Sequence, residues 1–527
     1  MYIGDYLARR QLYSPDKVGV IDLGKEPAWR LTYRELNERA NRFAHWLTNR
    51  GGIKKGDRVA ILARDGVEHL DTFFACSKLG AIHTALNWRL HWREILAILD
   101  NTKPTVLIYS DDFTDQVTHI QESLQGSQHP LQNYLHLEGR GVKLSIPFER
   151  ALQESASHSM TCESLESEDI AALIFTGGTS GSPKAAQISH RMIAWNTLNT
   201  VIHDVHHDDI YLNVFPMFHT GGLFVYTLPQ VIFGGTTILL RQFEAQKILE
   251  ILEQEQVTIF AAVPTMYQML TQAPNWEHAD LSSLRFCTSG GAPLPVPLIE
   301  KYTAEKGIHF KQGFGMTEFG PGIFALAPED AVRKAGSIGR PNFFVEARIT
   351  NERGEFLGTG EIGELILKGP SYCSGYFNDP QAFEDAVDEM GYFHTGDLAR
   401  YDNEGYFFIV DRKKDMFISG GENVYPAEIE AVLYRDERVL QCAIVGIPDQ
   451  KWGEIGVAVV VLKAGTSAEE QELIAYLKDS LAPFKVPKRI LFREELPISG
   501  AGKILKRELR EQLINGQISI PTHLAED

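Results

Sequence analysis

The chain has 527 residues, 69 acidic and 51 basic, for a formal net charge of −18; 44% are hydrophobic and 23% charged. That length exceeds what one hydrophobic core holds, so two or more domains are expected, and the composition excludes a disordered or low-complexity chain. The acidic balance argues against nucleic acid as a partner but still allows a phosphorylated substrate met by local positive charge. The five cysteines, Cys76, Cys162, Cys287, Cys373 and Cys442, are scattered and form no CxxC pair. Neither a disulfide framework nor a zinc site is expected, and a reducing cytoplasm fits. The first residues show no basic region followed by an apolar core, and no apolar run reaches membrane-spanning length, so neither a signal peptide nor a membrane span is expected.

In chain order, residues 58–63 read as a strand entered through the turn Gly56-Asp57, and residues 68–79 as a helix with apolar side chains at helical spacing. Residues 105–109 form another short strand. The run Ala171-Ala172-Leu173-Ile174-Phe175 reads as a buried strand, followed by Thr176-Gly177-Gly178-Thr179-Ser180-Gly181-Ser182-Pro183-Lys184. Glycines let backbone N–H groups approach an anion, hydroxyls add donors and the closing lysine adds charge, so this loop suits a polyphosphate. It is not the usual P-loop, because Pro183 stands where that pattern has glycine and Ala185 where it has Ser or Thr. Strand-like runs at 257–263 and 284–289 continue the alternation. Repeated β–α units imply open, mostly parallel sheets with helices on both faces and ligands at the carboxyl ends of strands, where the Thr176 loop stands. Gln312-Gly313-Phe314-Gly315-Met316-Thr317-Glu318 then combines two glycines with a hydroxyl and a carboxylate. A carboxylate beside phosphates points to Mg²⁺ shared between them. Taken alone, the segment reads first as a turn.

The character changes near residue 340. Residues 345–350, 363–368 and 406–410 are short β segments with Gly and Asn turns, as in a small barrel or a separate antiparallel unit. Thr395-Gly396-Asp397 places a carboxylate after a tight turn, where it could accept hydrogen bonds from ribose, although a bare triplet of this kind is more often an ordinary turn. Residues 411–415, Asp-Arg-Lys-Lys-Asp, read as a charged break, which divides the chain into 1–411 and 412–527. Beyond it, a helix at 427–434, strands at 439–447 and 456–462 and a helix at 469–481 suffice for a compact α+β domain. The segment 411–430 carries the pair Gly420-Gly421, and residues 497–507 present Lys503 on a glycine-rich loop before a basic helix.

Taken together, these five segments, in this order and at these distances, resemble the adenylate-forming superfamily of acyl-CoA synthetases, firefly luciferases and peptide-synthetase adenylation domains. The resemblance runs from Leu31-Thr32-Tyr33-Arg34-Glu35-Leu36 to the Lys503 loop and is most specific at 411–430 and at that loop. It implies an α/β fold in which a large N-terminal domain of two related α/β subdomains plus a β-barrel is hinged to a small mobile α+β C-terminal domain. It also implies ATP, Mg²⁺ and CoA acting on a small carboxylic acid. Oligomeric state stays open, with a homodimer as one option.

Residue by residue, the resemblance implies that Thr176, Gly177, Gly178, Thr179, Ser180, Gly181 and Lys184 hold the β- and γ-phosphates of ATP. Gly291, Ala292 and Pro293 line the adenine pocket, with Gln312, Gly313 and Phe314 on its other side and Gly315 and Met316 following. Thr317 contacts the α-phosphate and Glu318 carries Mg²⁺. Asp397 takes the ribose hydroxyls, Arg412 gives a second ribose or phosphate contact, and Lys414 is the hinge. Lys503 bridges the substrate carboxylate and the α-phosphate. Gly420 and Gly421 line the pantetheine tunnel of CoA once the small domain has rotated. Ile418 departs from relatives that carry a lysine there.

The chemistry follows from charge. A carboxylate is a poor electrophile; attack of its oxygen on the α-phosphorus of ATP gives an acyl-adenylate and pyrophosphate, and a thiol then attacks the acyl carbon and displaces AMP. Catalysis consists of neutralising the repelling anions, by Lys503, Mg²⁺ and the phosphate loop. Residues 214–222, Val-Phe-Pro-Met-Phe-His-Thr-Gly-Gly, hold the acyl-pocket position, and Pro216 in place of the aspartate of amino-acid-activating relatives disfavours an amino acid. Phe215, His219, Val263, Gly291, Gly315, Met316 and Phe319 are the expected walls, with His219 either a gate or a structural residue. Their apolar nature favours a medium or long fatty acid, with an aryl acid as the alternative. Bulky side chains at Gly291 or Gly315 are expected to shorten the preferred acid. An enzyme that stops at the adenylate or passes it to another acceptor, and a non-catalytic binding module, are the competing readings; intact Lys503, Glu318 and phosphate-loop residues weigh against the module.

Overall fold

The computed structural model describes residues 4–176, 184–419, 422–498 and 504–518. The chain divides into two units, Met1–Glu346 with Lys368–Phe393, and Ala347–Leu367 with His394–Asp527.

Among the described residues the first unit contains two open sheets. One runs Ile146–Pro147, Asn133–His136, Val106–Tyr109, Arg58–Leu62, Ile82–Ala85, Ile170–Thr176, Lys184–Ser189, with every neighbour parallel except the last pair. The other runs Arg340–Pro341, Gly320–Leu326, Phe310–Met316, Phe286–Gly290, Ile259–Ala262, Ile210–Asn213, Thr236–Leu239, Val18–Asp22, Trp29–Thr32. Its six strands from Phe310–Met316 to Val18–Asp22 are parallel, with antiparallel strands added at both ends.

Helices between the sheets form a shared core. Helix Tyr33–Asn49 begins with a capping box in which the Thr32 hydroxyl accepts the Glu35 amide at 3.2 Å and the Glu35 carboxylate accepts the Thr32 amide at 2.8 Å. Helix Val67–Leu79 is buried along its length and ends where Gly80 turns left-handed at φ 69°, a conformation that favours glycine. Tyr33, Leu36, Leu70, Phe73 and Phe74 from these helices meet Ala172, Ile174 and Ile188 of the first sheet and Val20 and Leu239 of the second in one apolar cluster. Cys373 and Tyr376 enter the same cluster from the segment that returns at Lys368.

The second unit contains a four-stranded sheet in the order Glu346–Thr350, Gly363–Lys368, Phe393–Tyr401, Phe407–Arg412. Its other sheet is built on the hairpin Val439–Asp449/Gly453–Leu462. One face of that hairpin packs Ile444 and Val460 under Ile429, Leu433, Leu473 and Leu477, and the other packs Val445 and Val457 under Leu509 and Leu513. This sheet with its helices is a compact α+β arrangement. The charged break expected at 411–415 starts later, because Asp411 and Arg412 still belong to a strand, where Arg412 pairs with Asp397 across the ladder. Among the described residues no helix is long and apolar enough to cross a membrane.

Phe73 tests the shared core. It is fully buried, and its ring sits edge-on to Phe74, His83 and Phe224 at centroid distances of 5.3, 5.8 and 6.3 Å. Phe73→Ala should destabilise the first unit by about 3–5 kcal/mol, the usual range for a fully buried phenylalanine. Chemical denaturation followed by circular dichroism would read this as a lower unfolding midpoint; an unchanged midpoint would mean that the core does not depend on Phe73.

Candidate active site

The expected phosphate loop is carried by a hairpin. Thr176 faces Lys184 across the antiparallel strands Ile170–Thr176 and Lys184–Ser189. Gly177, Gly178, Thr179, Ser180 and Gly181 lie outside the described residues. The Lys184 ammonium stands 5.0 Å over the centre of the Tyr376 ring and 3.8 Å from Asp379.

The expected adenine wall lies on the second sheet. Ser289 pairs with Gln312, and Gly290 with Gly313, between the parallel strands Phe286–Gly290 and Phe310–Met316. Ser289 and Gln312 are buried, and the Ser289 hydroxyl and the Gln312 Nε2 have no hydrogen-bond partner. The Gln312 Oε1 meanwhile accepts the Leu294 amide at 3.2 Å. Two buried, unpaired polar groups side by side are uncommon in native structures, and the polar edge of a ligand would satisfy both. Gly291, with Ala292 and Pro293 exposed behind it, takes φ 82°, and a Cβ there would come within 3.5 Å of Val263 Cγ1.

Five of the seven residues from Gln312 to Glu318 are strand rather than turn. Phe314 packs edge-on to Phe324 at 5.8 Å, and Met316 ends the strand, its carbonyl accepting the Phe319 amide at 3.3 Å. Thr317 and Glu318 are therefore the central residues of a tight hairpin turn. Phe319 is fully buried, with its ring 6.3 Å from that of Tyr372. At Gly315 a Cβ would lie 2.4 Å from the Pro321 backbone. This overturns the expectation that a bulky residue there trims the acid, because it would first break the hairpin.

Glu318 is gripped by the segment Lys368–Phe393, which returns to the first unit. Its carbonyl accepts the Cys373 amide at 2.6 Å, and its Oε1 accepts the Tyr376 hydroxyl at 2.9 Å. Burial first, and the neighbouring carboxylate next, push the Tyr376 hydroxyl well above its ordinary range, so it stays protonated and donates. Among the described residues no group of three metal-ligating side chains occurs. Glu318 would hold a divalent ion together with phosphate oxygens, hard donors that suit Mg²⁺.

The segment 214–222 is pinned from several sides. Asn213 accepts the Phe215 amide at 3.1 Å, Asp65 accepts the Met217 amide at 2.8 Å, and the Thr227 hydroxyl donates to the Gly222 carbonyl at 2.6 Å. Burial pushes the Asp65 carboxyl up to about 7. The Nδ1 of His219 accepts the Gly221 amide at 3.0 Å and caps the short helix Thr220–Phe224, a structural role for that nitrogen.

In the second unit, Asp397 is buried and its Oδ1 accepts from Arg412 Nε at 2.6 Å. Lys414 is exposed in the turn after that strand, and Ile418 is exposed as well. Gly420, Gly421 and Lys503 lie outside the described residues.

Tyr376 and Asp65 were absent from the sequence reading. Each lies far along the chain from the motif it serves, 58 residues in one case and 152 in the other, so no local pattern announces them.

The sequence profile of the AMP-binding enzyme family matches residues 7–377, and that of the AMP-binding enzyme C-terminal domain matches residues 428–503. A feruloyl-CoA synthase of Amycolatopsis sp is 38% identical over 97% of this chain and 99% of its own. A long-chain fatty-acid CoA ligase of Mycobacterium tuberculosis is 36% identical over 97% and 98%. Among solved structures, ATP-bound MatB from Rhodopseudomonas palustris superposes with a TM-score of 0.87 at 30% identity, covering 97% of this chain and 99% of that one. The chain belongs to the AMP-binding enzyme family, within the adenylate-forming acid–thiol ligases.

Proposed function

We propose that the protein is an ATP-dependent CoA ligase that activates a hydrophobic monocarboxylic acid as its acyl-adenylate and passes the acyl group to the CoA thiol, with AMP and pyrophosphate as the other products. The observation that carries this reading is the Thr317–Glu318 turn beside the buried, unpaired Ser289 and Gln312. A nucleotide lying there would have its base against the strand ends and its phosphates toward the turn and Lys184.

The residues divide the work by charge. Lys184 and the loop before it would hold the terminal phosphates, Thr317 would donate to the α-phosphate, and Glu318 would hold Mg²⁺, whose contribution when bound is to screen the phosphate oxygens. Asp397, with Arg412 fixing one of its oxygens, is suited to accept hydrogen bonds from ribose. Lys503 would neutralise the charge that develops between the acid and the α-phosphate. The second half-reaction needs that lysine withdrawn and the Gly420-Gly421 segment brought in. We assign the boundary between the large and small domains to 411/412 and the pivot to Lys414, where an exposed turn can absorb backbone rotation. Five free cysteines support a reducing compartment, the cytoplasm.

The acid should be apolar, because the segment 214–222 with Val263 and Met316 offers no charged partner for a second polar group. A medium or long fatty acid is the first reading, supported by the named activity of the mycobacterial relative. An aryl acid is the second, supported by the feruloyl-CoA synthase. Purified protein incubated with ATP, Mg²⁺ and a panel of acids, with and without CoA, tests the proposal by following pyrophosphate and thioester together. Pyrophosphate without thioester would replace CoA by another acceptor, and neither product would remove the enzyme reading.

Lys503→Ala should slow acyl-adenylate formation by a factor on the order of 10² or more, the usual cost of losing a key electrostatic contact. Thioester formation from supplied acyl-adenylate should be largely spared, and equal loss in both half-reactions would be incompatible with the role given to Lys503.

Across straight-chain acids, each buried methylene should add about 0.8 kcal/mol until the pocket is full, so kcat/KM should climb and then level. A sharp optimum among aryl acids would select the second reading, and an amino acid as best substrate would show that residues 214–222 do not form the pocket proposed.

A further inference from the structure

The segment around Tyr376 forms a strap between the two sheets of the first unit. On one side it runs antiparallel to the strand that leaves the phosphate loop. Gln187 and Ser374 are joined by a 2.9 Å bond from the Ser374 amide to the Gln187 carbonyl, and the Gln187 amide donates to the Gly375 carbonyl at 2.9 Å. The Phe377 amide donates to Ala185 at 2.8 Å, and Tyr376 itself faces Ala186. On the other side the strap holds Glu318 twice, at its carbonyl through the Cys373 amide and at its carboxylate through the Tyr376 hydroxyl. The Tyr376 ring lies under the Lys184 ammonium and packs edge-on to Phe383 at 6.2 Å. One side chain therefore touches both the lysine that closes the phosphate loop and the acid of the hairpin turn.

We infer that Tyr376 is a positioning residue for nucleotide activation: its hydroxyl aims the Glu318 carboxylate and its ring seats Lys184, setting both charged groups before ATP arrives. The inference rests on the reading of Glu318 as the magnesium ligand. A glutamate at the apex of a tight turn has several rotamers, and a carboxylate that must share an ion with a phosphate works best when one of them is already selected. A hydrogen bond to an ionised acceptor supplies that selection. Phenylalanine would keep the ring over which Lys184 stands, so the hydroxyl is the part of the side chain that acts on Glu318.

Tyr376→Phe keeps the ring and removes only the hydroxyl. Titration calorimetry should show ATP binding in the presence of Mg²⁺ weakened about tenfold, within the range for one hydrogen bond to a charged group. ATP binding in EDTA, the melting temperature and the KM for the acid should stay at wild-type values. Tyr376→Leu, which also removes the ring from Lys184, should weaken ATP binding in both conditions. Wild-type Mg²⁺-dependent affinity in Tyr376→Phe, or equal weakening with and without Mg²⁺, would overturn the inference. Glu318→Gln runs alongside. If it loses the metal response while Tyr376→Phe keeps it, only the positioning role falls; if it keeps the metal response, the magnesium assignment falls and takes the positioning role with it. Should Tyr376→Phe fail to fold, Glu318→Asp draws the carboxylate back from the hydroxyl and should show the same Mg²⁺-specific loss. A wild-type metal response in that variant would also overturn the inference.

Discussion

The architecture of the first unit depends on one constraint: two sheets bury their inner faces against the same helices. Tyr33, Phe73 and Phe74 share one apolar cluster with strand residues of both, so neither sheet can shift without opening the common core. Each sheet brings part of the candidate site. The first ends at Thr176 and Lys184, and the second ends at Gly290 and the Thr317–Glu318 turn. Binding a triphosphate requires donors and an acid at separations set to fractions of an ångström, and a close-packed apolar layer is stiff enough to hold them there. The hydrophobic effect supplies the energy for this layer, while the polar groups at its edge are arranged by it.

The strap from Cys373 to Phe377 adds a second tie of a different kind. It links the same two sheets through directional bonds, between the strand that begins at Lys184 and the turn that carries Glu318. Its hydrogen bonds to Gln187 and Ala185 hold the strand Lys184–Ser189, and its bonds to Glu318 hold the turn. This division of labour follows from the physics: the close-packed apolar layer sets the spacing of the sheets, and directional hydrogen bonds fix register at their edge. A reaction between anions leaves little tolerance, since the field at the α-phosphorus changes steeply with the position of each neighbouring charge.

Several glycines and one histidine acquire definite roles once neighbours are known. Gly315 looked like an opening for the acyl group, yet the Pro321 backbone occupies the space its side chain would need. Gly222 is closed in the same way by the Pro216 carbonyl, which would lie 2.3 Å from a Cβ. His219 was open between gate and scaffold, and its Nδ1 caps a helix. The segment 214–222 is thus compact and internally bonded, with no room for a side chain at Gly222 and with the His219 Nδ1 engaged in a cap.

The sequence by itself determined the alternating strands and helices, the buried strand before Thr176, the α+β character of the C-terminal part of the chain, and the membership of the family. Those features are local: strand and helix periodicity, glycine where backbone must approach an anion, and short motifs in a fixed order. Only the tertiary structure decided that Gln312 to Met316 form a strand, that Arg412 lies across from Asp397, and that Tyr376 and Asp65 reach Glu318 and Met217. Those are long-range pairings. A tyrosine 58 residues downstream of the acid it serves has no spacing to betray it. Its role comes from the two sheets being brought together, which is a property of packing and not of pattern.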